Sequence, residues 1–409
     1  MEYKVIEGGG ITSPKGFTAG AVYVGVKSRK SQKPDVAVLY SETEASCAAV
    51  FTTNKFCAAP VILDREILKN GKARAIVINS GNANAATGTQ GIEDARTVER
   101  EAEKLLGVGE NEVFVCSTGV IGQKLPVEKV LDGVRQIIPA KLDKANGSDA
   151  AYAIMTTDTV RKESAYELEL SSGTIRIGAM AKGSGMIHPN MATMLLFMTT
   201  DAKVEPAALQ KALSTVVPAT FNQISVDGDT STNDTVLLLA SGLSGAEIVD
   251  GTPDYDTFVA ALTEAAEHLR RELAGDGEGA TKLLECTVTG APDLATARAV
   301  SKSVIHSTLF KAAMFGADAN WGRVLCAIGY TPGDFDISKT SVRLKSKAGE
   351  VFVCENAAYH PYSEDEVAVV LKEDEIDILV DLGSGDATAK AWGCDLTYDY
   401  VKINGDYRT

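Results

Sequence analysis

The stretch Lys182-Gly-Ser-Gly-Met-Ile-His-Pro-Asn-Met-Ala-Thr-Met-Leu-Leu-Phe197 changes character partway along. A polar, glycine-rich loop gives way to an apolar run of strand length, and Thr193 stands where the two meet. Read from residue types alone, Thr193 is the first residue of a strand at a loop-to-strand junction. Lys182-Gly-Ser-Gly185 has the composition of a phosphate loop but not its order, because the lysine precedes the glycines. The apolar run from Met191 to Met198 is too short to span a bilayer.

Outward from this junction, strands and helices alternate. Ala75-Ile-Val-Ile-Asn79 and Glu112-Val-Phe-Val-Cys116 read as buried strands. Helices are expected from Glu93 to Leu106 with Gly107 as the stop, and from Pro126 to Ile138. Two more are expected from Asp201 to Val216 and from an Asp254 cap to about Ala274. Past Thr281 the texture shifts to strand-like pieces such as Leu284-Glu-Cys-Thr-Val-Thr289 and Ile376-Asp-Ile-Leu-Val-Asp381. This predicts a main unit over residues 1–280 and a smaller one over 281–409.

Four stretches beside these strands do not look like packing. They are the 182–193 loop, Asn79-Ser-Gly-Asn-Ala-Asn-Ala85, Ser117-Thr-Gly-Val-Ile-Gly122 and Ser225-Val-Asp-Gly-Asp-Thr-Ser-Thr-Asn-Asp-Thr235. Each alone is an ordinary turn; together they suggest a polar pocket lined by backbone. Ser117-Thr118-Gly119 can aim an N–H and a hydroxyl into a cleft, the raw material of an oxyanion hole, or can simply cap a helix.

Bulk properties narrow the function. With 409 residues and a formal charge of −15, the chain repels phosphate backbones and anionic membranes, so nucleic-acid and membrane partners are not expected. Seven widely spaced cysteines without a CxxC, and four histidines without ligand spacing, argue against a disulfide framework or a metal site. The N-terminus lacks an apolar leader, which predicts a cytoplasmic location.

The quoted segment closely resembles the processing site of the ornithine acetyltransferase (glutamate N-acetyltransferase) family of arginine biosynthesis. The stretches at 79–85, 117–122 and 225–230 also resemble family signatures. So do Ile154-Met-Thr-Thr-Asp-Thr159, Phe315-Gly-Ala-Asp-Ala-Asn-Trp-Gly-Arg323 and Ile403-Asn-Gly-Asp-Tyr-Arg-Thr409, all in family order over nearly the whole chain. Gly405 stands where the family is associated with Ala.

The resemblance implies a layered α-β-β-α sandwich with a smaller C-terminal α/β unit. It implies self-cleavage between Ala192 and Thr193 into an α chain, 1–192, and a β chain, 193–409, that assemble as an α2β2 heterotetramer. Thr193 would be the nucleophile, and Thr118 and Gly119 the oxyanion donors. Thr156, Lys182, Thr193, Glu278, Asn404 and Thr409 would bind the substrates N2-acetylornithine and glutamate, with Thr157 competing for the place of Thr156. Lys182 suits a carboxylate and Glu278 an ammonium. No cofactor or metal is implied, and acetyl-CoA is left open as a second acetyl source. His188 is expected to be structural or to aid processing, and Cys116 to be core. Two other functions share these features: a self-processing amidase or aminopeptidase of related fold, and a non-enzymatic small-molecule-binding protein.

Overall fold

The computed structural model describes residues 3–27, 32–188 and 194–406. Ala192, Thr193 and Thr409 therefore lie outside the described residues.

The fold is mixed α/β with layered sheets. A nine-stranded sheet runs in the order Tyr3–Val5, Lys162–Leu170, Gly173–Lys182, Leu195–Thr200, Thr235–Ala240, Val36–Phe51, Lys72–Asn82 and Val113–Val120, with Phe17–Val22 paired to Val36–Phe51. Alternation along the central strands sorts side chains to opposite faces. Leu195, Phe197, Leu237 and Leu239 join a core with the helices at Ala59–Ile67, Gly88–Leu106, Val127–Ile137 and Gly147–Ala153. Leu196, Met198, Val236 and Leu238 face the other way, onto the helices Pro206–Ala219 and Pro253–Gly275. Because both faces are covered, these strands read as continuous apolar runs in the sequence.

A seven-stranded sheet lies beyond it, in the order Ile224–Ser225, Ala387–Cys394, Leu283–Ala291, Glu375–Asp381, Ser341–Ser346, Gly349–Glu355 and Ala358–Tyr359. Its core runs from Leu284 to Ala391 and takes in the helices Leu294–His306, Thr308–Phe315, Trp321–Gly329 and Glu364–Leu371. The Ile224–Ser225 strand pairs in parallel with Trp392 and Gly393. Trp392 also carries the Arg270 guanidinium over its ring, 3.3 Å from the centroid, a cation–π contact that joins the long helix to the second sheet.

Two of the helix starts that differ from the expected ones do so because of proline. The helix expected from Asp201 begins at Pro206, with Pro in its first turn, where a missing N–H costs nothing. Residues Lys203–Val204 instead pair with Glu247–Ile248, and the Asp201 carboxylate accepts from Arg176 N and Lys15 N. The long helix is capped by Thr252 rather than Asp254, since Pro253 takes the first position and the Thr252 side chain accepts from Tyr255 N. Asp254 reaches away to Ser171 and Ser172. The second helix starts a turn early, at Gly88, and ends at the expected Gly107, whose φ is 67°.

Phe197 is fully buried in a strand flanked on both sides. Phe197→Ala should lower unfolding stability by about 3–5 kcal/mol, read from the shift in denaturant midpoint.

Candidate active site

The four polar stretches meet in space. Ser117 Oγ donates to Asn79 Oδ1 at 2.6 Å. Asn233 Nδ2 donates to Ala83 O at 2.6 Å and to Ser117 O at 2.8 Å. Met186 N donates to Asp227 Oδ2, and Val226 N to Ile187 O, each at 2.6 Å. Chain segments far apart in sequence thus form one hydrogen-bonded rim, which satisfies polar groups that the surrounding core would otherwise strand.

Within this rim lies a cavity of about 340 Å³. Thr118, Gly119, Thr156, Lys182, Glu278 and Asn404 all line it. Thr157 lines it too, so the structure does not separate the two threonines. Met194 and Leu195 form part of its wall, bringing it to the residue that follows Thr193 in the chain.

Each wall has a local reason. The Val113–Val120 strand runs parallel to Lys72–Asn82, and the register slips where Gly119 meets Gly81 and Asn82, a bulge that turns the strand end. Gly119 has φ 134°, and a Cβ there would lie 2.3 Å from Gly81 C and 2.5 Å from Asn82 N. Only glycine fits such a position. Leu195 pairs with Lys182 on one side and with Thr235 on the other, and Thr235 N donates to Met194 O at 3.0 Å. The strand that continues from Thr193 is therefore held between the strand ending in Lys182 and the strand preceded by Asp234.

The far wall comes from the C-terminal part of the chain. Glu278 follows the long helix, and its Oε2 accepts from Asn404 Nδ2 at 2.7 Å. Asn404 is carried by the helix Tyr398–Gly405, whose cap Thr397 donates to Gly279 O at 2.7 Å. Gly185 has no room for a Cβ, which would lie 2.4 Å from the Glu278 carboxyl carbon. A Cβ on Gly405 would meet nothing within 4 Å among the described residues, so the alanine associated with the family fits against them.

Two acids that sequence reasoning did not single out complete the site. Asp158 accepts from Thr156 N at 2.9 Å, Gly183 N at 2.6 Å and Lys162 Nζ at 2.9 Å. Burial alone would raise its pKa, but the Lys182 and Lys162 ammonium groups and these bonds bring it down from 3.8 to about 2. Asp234 lines the cavity, and its Oδ2 is buried without a hydrogen-bond partner among the described residues. Burial holds its pKa well above the usual carboxylate range, against the pull of Ser231 and Lys182. Both sit in turn-like runs, Thr-Thr-Asp and Thr-Asn-Asp, that give no hint of burial.

Lys182 is 8% exposed and donates to Thr118 Oγ1 at 3.3 Å. Burial lowers its pKa; Asp158 opposes that shift, Lys162 adds to it, and Glu278 and Asp234 oppose it.

His188 lies outside the cavity lining, with Nδ1 2.9 Å from Ser225 Oγ and its ring 4.6 Å from that of His306. Burial, with Lys302 and His306 nearby, lowers its pKa to about 3 and keeps it neutral. Cys116 is buried against Asp64, with Sγ 3.6 Å from Oδ2, and burial pushes its thiol well up. Such a thiol is not a nucleophile at neutral pH.

A profile of the ArgJ family matches residues 18–409. The arginine biosynthesis bifunctional protein ArgJ of Caldanaerobacter subterraneus subsp. tengcongensis is 52% identical over 402 residues, covering 98% of this chain and 99% of that protein. Its namesake in Symbiobacterium thermophilum is 50% identical over 406 residues, covering 98% of this chain and 99% of that protein. The crystal structure of the protein of that name from Bacillus halodurans is 46% identical with a TM-score of 0.50, and covers 52% of this chain and 99% of that one.

Ionised Asp158 stabilises the fold above about pH 4, since folding depresses its pKa, and this contribution fades as the pH falls towards 2. Asp158→Asn should cost about 3–5 kcal/mol at neutral pH by leaving Lys162 and Lys182 short of a counter-charge. Denaturation at stepped pH should also show the acid-side loss flattened in the variant.

Proposed function

The chain belongs to the ArgJ family of arginine-biosynthesis enzymes, and we propose that it moves an acetyl group from N2-acetylornithine to glutamate through an ester on Thr193. The observation that carries this reading is the shared cavity: Thr118, Gly119, Thr156, Lys182, Glu278 and Asn404 line one space that also reaches Met194.

The chemistry begins with the chain itself. Thr193 Oγ adds to the Ala192 carbonyl, the peptide becomes an ester, and water releases Thr193 as a new N-terminus. Its α-amine, with a reference pKa of about 7.7–8.0, takes the hydroxyl proton during later attacks. That removes the need for a histidine base, consistent with the neutral His188 lying off the cavity. The length of the Bacillus halodurans chain supports a cut here. It covers 52% of this chain with nearly all of its own length, and residues 193–409 are slightly over half of the sequence.

Acetyl transfer then runs in two halves. Thr193 Oγ attacks the acetyl carbonyl of N2-acetylornithine, the proton passes through the α-amine to the departing amine, and ornithine leaves. Glutamate attacks the acetyl ester and departs as N-acetylglutamate. Both halves pass through a tetrahedral oxyanion, for which the Thr118 hydroxyl and the Gly119 N–H are the donors. Glu278, held by Asn404, offers a carboxylate to the ornithine ammonium, and Thr156 adds a further substrate contact, with Lys182 beside Thr118 in the same cavity. No cofactor takes part. The relatives' shared description as bifunctional supports acetyl-CoA as a second donor to the same Thr193. The processed chains assemble as an α2β2 heterotetramer in the cytoplasm.

Thr193→Ala should leave a single intact chain on denaturing electrophoresis and lower acetyl exchange by roughly 10³-fold or more. A new N-terminus other than Thr193 in the wild type would defeat the covalent route. Incubation with N2-acetylornithine should yield N-acetylglutamate only when glutamate is added; rapid release of acetate instead would favour an amidase. Thr118→Val should cost about 10²–10³ in kcat, measured with saturating substrates.

A further inference from the structure

We propose that Lys182 is a positioning residue for the oxyanion donor, acting through the Thr118 hydroxyl rather than as an anchor for a substrate carboxylate. The inference rests on the reading of Thr118 and Gly119 as oxyanion donors.

Three observations point the same way. Lys182 donates to Thr118 Oγ1, the one hydrogen-bond acceptor it has among the described residues. Thr118 Oγ1 donates to nothing among the described residues, while the residue lines the cavity. A hydroxyl oxygen occupied by an ammonium N–H must direct its own proton elsewhere, and the open direction is the cavity. Finally, the Lys182 charge is already countered. Asp158 is held ionised and acts on it, and Glu278 acts on it from another segment, whereas Asp234 is kept protonated by burial. A cation so balanced has little charge left for a distant carboxylate, but its bond to Thr118 remains.

The effect on the reaction follows from hydrogen-bond polarisation. A hydroxyl that accepts from an ammonium group becomes a stronger donor. When Thr193 Oγ adds to the acetyl carbonyl, the carbonyl electron pair moves onto oxygen, and Thr118 O–H donates to it. Lys182 keeps its proton throughout, so no transfer step is added. The fold fixes this geometry because Lys182 ends one strand and Thr118 lies two residues before the end of another, each held in register by neighbours around Leu195 and Gly81.

The test uses an acetyl donor without an α-carboxylate, p-nitrophenyl acetate, alongside N2-acetylornithine. Lys182→Met and Lys182→Gln should slow p-nitrophenolate release per cleaved chain by about tenfold or more, and lower kcat for N2-acetylornithine with KM changed less than about threefold. In a double-mutant cycle, Lys182→Met combined with Thr118→Val should be no slower than Thr118→Val alone. Unchanged p-nitrophenyl acetate turnover with a large rise in KM for N2-acetylornithine and glutamate would make Lys182 a carboxylate anchor and overturn the proposal. Additive losses in the cycle would overturn it too. If Thr118→Val by itself has no effect, the oxyanion reading fails rather than this step alone. Should a variant fail to mature, the same rates are measured on residues 1–192 and 193–409 co-expressed as two chains, which need no cleavage.

Discussion

The Asp158 carboxylate binds three pieces of the site at once. It accepts backbone N–H groups from Thr156 and Gly183 and the Lys162 ammonium, and it is the first counter-charge of Lys182. Burying a carboxylate and two ammonium groups costs several kcal/mol per ion unless each finds partners. Here Lys162, fully buried, pairs with Asp276 as well as Asp158, so the cluster closes on itself. Without that carboxylate, Lys162 would keep only Asp276 and Lys182 would lose its largest counter-charge.

The same cluster reaches the opposite wall. Asp276 accepts from Thr159, and its carbonyl accepts from Ser184 Oγ at 2.7 Å. Two residues on, Glu278 N donates to Ser184 O at 3.0 Å, and Glu278 holds Asn404. The contacts therefore run from Thr118 to Lys182, and from its chain neighbour Gly183 through Asp158, Lys162 and Asp276 towards the C-terminal helix. That helix has no fully buried residue of its own, so its position depends on its cap, Thr397, and on Glu278 more than on packing. The wall carrying Glu278 and Asn404 is tethered by polar contacts, whereas the wall carrying Thr118 and Gly119 is built into the sheet.

How much of this the sequence carried differs from part to part. The buried strands were legible because a covered sheet leaves unbroken apolar runs, as within Lys72–Asn82 and Leu195–Thr200. Helix stops such as Gly107 were legible because a left-handed stop needs glycine. The starts at Asp201 and Asp254 were misread because an acidic residue looks like a helix start, whereas Pro206 and Pro253 occupy the first helical positions. Thr118, Gly119, Lys182, Glu278 and Asn404 were placed by ordered motifs; composition alone would have left them as turns. Asp158 and Asp234 escaped because their importance comes from lysines brought near by tertiary structure, and a buried aspartate in a turn is spelled like an exposed one.

The fold also explains why a cut before Thr193 need not loosen the site. Val226 N donates to Ile187 O, and Thr230 Oγ1 donates to His188 O at 2.9 Å, which pins the chain on one side. Thr235 N donates to Met194 O, which pins it on the other, and Leu195–Thr200 is hydrogen-bonded to a strand on each edge. A single segment, residues 226–235, holds both flanks. The proposed cut would break a peptide bond between these two flanks, each of which keeps its own hydrogen bonds to residues 226–235. The polar loop that bulk composition would pass over as a turn is thus a brace that holds Ser117 beside Thr118, the loop after Lys182 and the strand from Leu195 together.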